Sequence, residues 1–127
     1  MPIASLTPKA FARKCCDLAH DKKAEDVIII DLRKLNAPTD YFVICSASSD
    51  RQVKAIAENV KAGIKERGYK PWHIEGLTGK RWVLMDYVDV VVHIFHGDTR
   101  AFYSLETLWG DAPIEEVKPK RRRTPKR

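Results

Sequence analysis

The sequence predicts a mixed α/β domain of the α+β kind, with a sheet of about five strands and three main helices packed against it. Short runs rich in β-branched and aromatic residues favour strands. Three other stretches repeat apolar residues at helical spacing. The middle one is long enough to cross over the sheet, and the three strands after it can form a meander. The predicted order is therefore helix, two strands, helix, three strands, helix.

The first half of the chain begins with a helix predicted at residues 8–20. Thr7 supplies a capping hydroxyl, and Pro8 suits the first helical position because its missing N–H would be unpaired there anyway. Strands are predicted next at residues 27–32 and 41–45, where the side chains are mostly β-branched or aromatic.

The second half begins with the crossover helix. Ser49 and Gln52 have the spacing of a capping box, and Gly68 is a stop signal after the last apolar position. A strand at residues 72–75 and the central strand pair follow. The last helix is predicted at residues 99–109.

The central pair occupies residues 82–95 and forms a predicted hairpin. An unbroken apolar run from residue 90 onward favours a central strand that is covered on both faces. The turn carries Asp86 and Asp89 on either side of Tyr87 and Val88, which makes this tip a candidate recognition surface. Alternation in the first strand sorts its side chains into two faces: Trp82, Leu84 and Asp86 on one, and Val83, Met85 and Tyr87 on the other.

Charge divides the chain into a domain at residues 1–117 and a basic tail at 118–127, which is predicted to be disordered. The net charge is +6, with 23 basic and 17 acidic residues, yet the tail contains no acidic residue. The tail is either a non-specific solubilising segment or a contact to ribosomal RNA, and its composition also fits nuclear targeting. The candidate RNA contacts are Lys120, Arg121, Arg122 and Arg123.

Composition predicts a cytoplasmic protein without a membrane segment, a metal or a cofactor. No early apolar run of signal-peptide length follows the first methionine, and no stretch reaches the length of a membrane helix, so neither segment is expected. The three cysteines have no Cys-x-x-Cys spacing and are expected to be reduced thiols.

Catalytic interpretations of the residues are weaker than structural ones. Asp86 and Asp89 are three residues apart across a tight turn, a spacing that does not place both carboxylates on one strand face. His93 and His96 are expected on opposite faces, so they make no metal pair. Residues 46–50 precede a helix but lack glycine, which favours capping over phosphate binding. We therefore predict no catalytic residue.

Three motifs together resemble the ribosomal silencing factor family, also called RsfS or Iojap-related. They are TDYFVIC at 39–45 running into SSDRQV at 48–53, WVLMDYVDVVVH at 82–93, and RAFYSLETLW at 100–109. The resemblance extends in order over residues 6–112. It implies a fold similar to a nucleotidyltransferase domain, whose catalytic Gly-Ser and Asp-x-Asp signatures are absent from this chain.

The resemblance implies a translational repressor that is not an enzyme. Family members bind the fourteenth protein of the large ribosomal subunit and sterically block its association with the small subunit, and they are often seen as dimers. By position, the partner-binding residues would be Trp82 and Tyr87 as apolar anchors, with Asp86, Asp89 and His93 in the same motif.

Two alternatives remain: a divergent nucleotidyltransferase that uses the two aspartates, and a general RNA-binding module that acts through the tail.

One departure from the family pattern concerns the turn. The family usually has Gly at the position of Val88. Because a β-branched residue resists positive φ, another turn type is expected here.

Overall fold

The computed structural model describes residues 6–97, 99–100 and 105–119. Within them the chain forms a six-stranded mixed sheet in the order β3-β4-β5-β2-β1-β6. The central strands β2 and β5 run parallel, and the other neighbours are antiparallel. The strands are β1 Glu25–Asp31, β2 Tyr41–Ala47, β3 His73–Glu75, β4 Trp82–Asp86, β5 Val90–His96 and β6 Ile114–Glu116, and the helices are α1 Pro8–His20, α2 Asp50–Lys65 and a short α3 Leu105–Leu108.

The two long helices begin at the predicted caps. The Thr7 hydroxyl accepts a hydrogen bond from the amide of Ala10, and the Ser49 hydroxyl accepts one from the amide of Gln52. Each bond satisfies an amide that would otherwise lack a helical partner. After α2 the chain turns at Gly68, whose φ of 94° is one that glycine adopts without steric cost.

Helices α1 and α2 both pack on the same face of the sheet. Their apolar stripes, which include Phe11 and Ile56, meet Val43 of β2 and Val92 of β5 in one buried cluster. The three cysteines are buried free thiols, and burial raises the pKa of Cys45 to about 12. We refer to this side as the helix-covered face.

The opposite face is covered only in part. Over β1 and β2 it packs against Leu105 and Ala112, with Trp109 and the β1–β2 loop at the margin. The aromatic ring of Phe42 lies 6.1 Å from that of Trp109, edge to face. No long helix packs over β4 and β5 on this side among the described residues. We refer to this side as the helix-free face, because neither α1 nor α2 packs on it.

The mixed α+β fold class is confirmed, with two differences in detail. The sheet has six strands rather than five, because residues 114–116 pair with β1 through Ile28, Ile29 and Ile30. Residues 101–104 of the predicted last helix lie outside the described residues. Residues 99–100 are helical, and α3 covers residues 105–108. The predicted meander of β3, β4 and β5 is confirmed.

Candidate partner-binding groove

The helix-free face contains an open groove of about 370 Å³ over β2, β4 and β5. Its floor follows from strand register, because residues paired across neighbouring strands share a face. Val91 pairs with Phe42 on one side and Asp86 on the other, and His93 pairs with Leu84 in the next row. The floor residues are Phe42, Leu84, Asp86, Val91 and His93.

Three of the four rim residues of the groove are apolar and exposed, and the fourth, Thr39, is buried. Pro38 and Thr39 border it from the β1–β2 loop, Trp72 from the residue before β3, and Val88 from the β4–β5 turn. Trp72 is 75% exposed and Val88 is 57% exposed. A tryptophan this exposed next to a concave apolar floor is typical of a contact residue in a protein interface.

Trp72 is held at the rim by the β3–β4 pairing. Its amide donates to the carbonyl oxygen of Asp86 at 2.7 Å, which extends the ladder by one residue. The β3–β4 connection requires Gly76, since its φ is 90° and an added Cβ would overlap the carbonyl oxygen of Trp82. The exposed indole therefore projects from a backbone that the sheet fixes.

The β4–β5 turn holds Val88 in a left-handed conformation with a φ of 77°. The amide of Asp89 donates to the carbonyl of Tyr87 at 3.0 Å, and the amide of Tyr87 donates to the carbonyl of Val90 at 2.8 Å. Oδ1 of Asp86 accepts from the amide of Val88 at 2.7 Å. The expectation that valine forces another turn type is wrong, because these three bonds hold the strained backbone in place.

His93 lies in the groove floor as a neutral imidazole. Trp82 donates from Nε1 to Nδ1 of His93 at 3.0 Å, and the indole stacks on Phe95 with ring centroids 5.1 Å apart. Burial lowers the pKa of His93 to about 3. Trp82 is half-buried and lies outside the groove. It pairs with Phe95, next to the Leu84–His93 pair, and its hydrogen bond orients the imidazole.

Tyr87 lies on the other side of the sheet from His93. Its ring packs against Phe11 of α1 with centroids 5.1 Å apart, as part of the helix-covered cluster. Burial raises the pKa of its hydroxyl above the ordinary value. The alternation along the first strand of the hairpin predicted that Tyr87 and Trp82 lie on opposite faces, and the structure confirms this.

The two aspartates of the turn have different surroundings. Asp86 lines the groove, whereas the side chain of Asp89 is exposed at the tip. His96 faces Asp50 at the start of α2, 3.0 Å from its Oδ1, on the side opposite to His93. In the part of the chain that the structure describes, no group of three or more acidic, histidine or cysteine side chains could hold a metal ion.

Of the five residues predicted to bind a partner, the structure brings Asp86 and His93 into the groove and places Trp82 directly behind His93. It does not bring Tyr87 to the same surface. The family resemblance did not identify Phe42, Leu84 or the rim residues as part of the groove. Strand alternation could have predicted that Phe42 and Leu84 lie on this face.

The candidate RNA contacts Lys120, Arg121, Arg122 and Arg123 lie outside the described residues. Across the ranges 6–97, 99–100 and 105–119, none of the helices is both long and apolar enough to span a membrane.

The molecule is a small α/β domain with an open groove, and comparison with known proteins identifies its family. Residues 5–127 match the family model described as ribosomal silencing factor during starvation. The chain is 46% identical over 107 residues to the ribosomal silencing factor RsfS of Bacillus subtilis, which covers 84% of this chain and 88% of that protein. The chain belongs to the ribosomal silencing factor family.

Plant and structural relatives agree with this assignment. The chloroplastic protein Iojap of Zea mays is 36% identical over 107 residues, covering 84% of this chain and 46% of that protein. A crystal structure from Chromobacterium violaceum superposes with a TM-score of 0.80 at 32% identity, covering 91% of this chain and 92% of the other. The bacterial relatives are named as silencing factors and not as enzymes.

Proposed function

We propose that this chain is a cytoplasmic translational repressor that binds the large ribosomal subunit through the groove and sterically blocks association with the small subunit. The observation that carries the proposal is the open apolar groove of the helix-free face, in a member of a family named for silencing ribosomes. The block requires occupancy of a surface and no turnover.

The groove has the features of a protein-binding site. An apolar floor flanked by an exposed tryptophan removes much apolar area from water when a partner covers it. Asp86 in the floor and Asp89 at the tip add negative charge near this surface. We expect these carboxylates to meet basic residues of the partner, which is the fourteenth protein of the large subunit according to the sequence resemblance.

The side chain that best tests the groove is Trp72, because it is 75% exposed and its loss leaves the packing intact. Trp82 is a poorer choice, since truncating it would also remove the stack on Phe95 and the bond to His93. Leu77 provides a control: it is an exposed apolar residue, 44% exposed, which lies in the β3–β4 connection and outside the groove.

The test is light scattering of purified subunits as they join in magnesium, after this protein is titrated onto the large subunit. Wild type should reduce joining in proportion to its occupancy. Trp72→Ala should need about 30-fold more protein for the same reduction, since truncating an interface tryptophan typically costs about 2 kcal/mol. Leu77→Ala should match wild type.

A variant that ends at Val117 lacks the basic tail, so it measures binding by the groove alone. We expect it to retain the block at physiological salt, with affinity reduced at most severalfold if the tail contacts RNA. Undisturbed joining in the presence of excess wild-type protein would contradict the proposal. Loss of the whole effect on tail removal would instead assign binding to the tail.

A further inference from the structure

A second open depression lies on the helix-covered face, between α2 and the β3–β4 end of the sheet. Ile74 of β3 pairs with Met85 of β4, so their side chains share this face and form its floor together with Ala57. Its volume is about 210 Å³, and we refer to it as the trough. The remaining residues that line it are Lys54, Glu58, Lys61, Leu77 and Lys80.

The trough is basic, whereas the groove on the opposite face is acidic. Three lysines border the apolar floor, together with one acidic residue. Among the described residues, no carboxylate lies within ion-pair distance of Lys54, Lys61 or Lys80. The groove has Asp86 in its floor and no lysine or arginine among its described lining residues. The two depressions therefore suit segments of opposite charge.

The trough lies beside an open edge of the sheet. Strand β3 is the end strand, so one of its edges has no strand neighbour among the described residues. Such an edge presents backbone N–H and C=O groups to which an extended segment can pair. Ile74 faces the trough, while His73 and Glu75 point to the other face, where Nε2 and Oε2 of their side chains lie 2.6 Å apart. An added strand would direct alternate side chains to the trough in the same way.

Size and lining narrow the class of ligand. The volume of about 210 Å³ is below the roughly 300–1,000 Å³ of small-molecule sites, so the trough suits a side chain of a larger partner. None of its described lining residues is aromatic, whereas proteins that bind single-stranded nucleic acid stack bases on aromatic rings. Leu77 is 44% exposed and provides apolar area for an apolar side chain.

We propose that β3 and the trough form a second docking surface, which binds an extended acidic segment of another protein. The segment pairs with the open edge of β3 and inserts one apolar side chain between Ile74 and Leu77. Carboxylates two residues away on either side, about 7 Å along an extended chain, meet the three lysines. This inference goes beyond the proposed function, because the surface lies on the opposite face from the groove and takes a partner of opposite charge.

A display selection of random peptides on the full-length protein supplies the probe. Wild type is the bait, and the double variant Lys54→Glu/Lys61→Glu removes peptides that bind elsewhere. We expect the enriched peptides to share an apolar residue with acidic residues two positions away. Enriched peptides without acidic residues, or no enrichment of wild-type binders over binders of the double variant, would overturn the proposal.

Fluorescence anisotropy with a selected peptide measures the contribution of each side chain. Lys61→Glu should weaken binding about tenfold because it brings like charges together, and Leu77→Ala about fivefold because an apolar contact is lost. Lys22→Glu makes the same charge change at an exposed site outside the trough and should match wild type. Equal losses in the two lysine variants would indicate general charge attraction and would overturn the docking surface.

N-methylation of the selected peptide tests the pairing with β3 without changing the protein. In an added strand only alternate residues direct their N–H groups at the neighbouring strand. Methylation within one alternate set should weaken binding about fivefold for each hydrogen bond lost, and methylation within the other set should have little effect. Equal tolerance of methylation in both sets would overturn the strand pairing.

Binding to large subunits separates this surface from the groove. Leu77→Ala and Lys61→Glu should retain subunit binding, and Trp72→Ala should retain peptide binding. Peptide binding that is lost in Trp72→Ala but not in Leu77→Ala would place the peptide in the groove and overturn this inference. An RNA oligomer that binds through Lys61, with no binding of acidic peptides, would also overturn it. Absence of wild-type binding to large subunits would contradict only the proposed function.

Discussion

The two faces of the sheet differ in how completely the chain covers them. On the helix-covered face, α1 and α2 bury their apolar stripes against β2 and β5, with Ile56, Val43 and Val92 all fully buried. On the helix-free face, the cover stops at Trp109 and leaves the groove open. Both faces contribute a buried cluster to the fold, and the helix-free face also has apolar surface that folding does not use.

Local features also distinguish the helix-free face. Val88 holds an unfavourable φ, Trp72 is exposed, and Oγ1 of Thr39 and Nε2 of His93 are buried without a hydrogen-bond partner among the described residues. The features of Val88, Thr39 and His93 reduce the stability of the free protein, the exposed Trp72 adds little to it, and all four residues border one groove. Substitutions on the two faces should therefore affect different properties.

The largest expected effect is on the helix-covered face. Ile56→Ala removes a fully buried side chain of α2 and leaves a cavity, so we expect the free energy of unfolding to fall by about 2–5 kcal/mol. Urea denaturation followed by circular dichroism measures it. Trp72→Ala is the matched comparison and should change stability by less than about 0.5 kcal/mol. A large loss of stability in Trp72→Ala would contradict the claim that substitutions on the two faces affect different properties.

The next effect concerns pH and His93. The folded-state pKa is about 3, below the ordinary 6.5, so between these values the unfolded chain binds the proton and the folded chain does not. Stability supported by the neutral ring is therefore complete above pH 6.5 and decreases as the pH falls. From pH 7 to pH 5 we expect this group to reduce the free energy of unfolding by about 1–2 kcal/mol.

His93→Gln is the reference for that measurement, because glutamine does not titrate. Denaturant titrations at pH 7 and pH 5 should show a steeper loss in wild type than in His93→Gln. Equal losses in the two proteins would show that His93 is not held neutral in the groove floor.

The smallest effect is expected at the strained turn. Val88→Gly relieves a left-handed conformation that costs an L residue about 1–2 kcal/mol, offset by about 0.5–1 kcal/mol of glycine entropy, so stability should rise by about 0.5–1 kcal/mol. Binding to large subunits should weaken two- to fivefold, because an apolar rim contact is lost. Val88→Ala should weaken binding similarly with less gain in stability, whereas a Val88→Gly protein with unchanged affinity would remove Val88 from the contact surface.

Features set by local sequence were predictable. The Thr7 and Ser49 caps, helix α1 and the alternation along β4 depend on neighbours a few residues apart, and the structure has them as predicted. The alternation even placed Trp82 and Tyr87 on opposite faces. The position-by-position family comparison nevertheless grouped them on one surface.

Features set by distant contacts were not predictable. Strand β6 is only three residues long, and it exists because it pairs with β1 more than 80 residues earlier. The exposure of Trp72 and the burial of Thr39 depend on how the β3–β4 pair and the β1–β2 loop meet around the groove. The positive φ of Val88 was missed for a different reason: valine disfavours it, but the local bond from the Val88 amide to Oδ1 of Asp86 holds it.

Hydrogen exchange of the protein, free and bound to large subunits, tests the central assignment most directly. Binding through the helix-free face should slow exchange at the amides of Trp72, Val88 and Thr39, beyond any general stabilisation. The amides of α1 and α2 should change only as the global stability changes. Protection concentrated on the outer surfaces of α1 and α2, with the groove amides unchanged, would contradict the account.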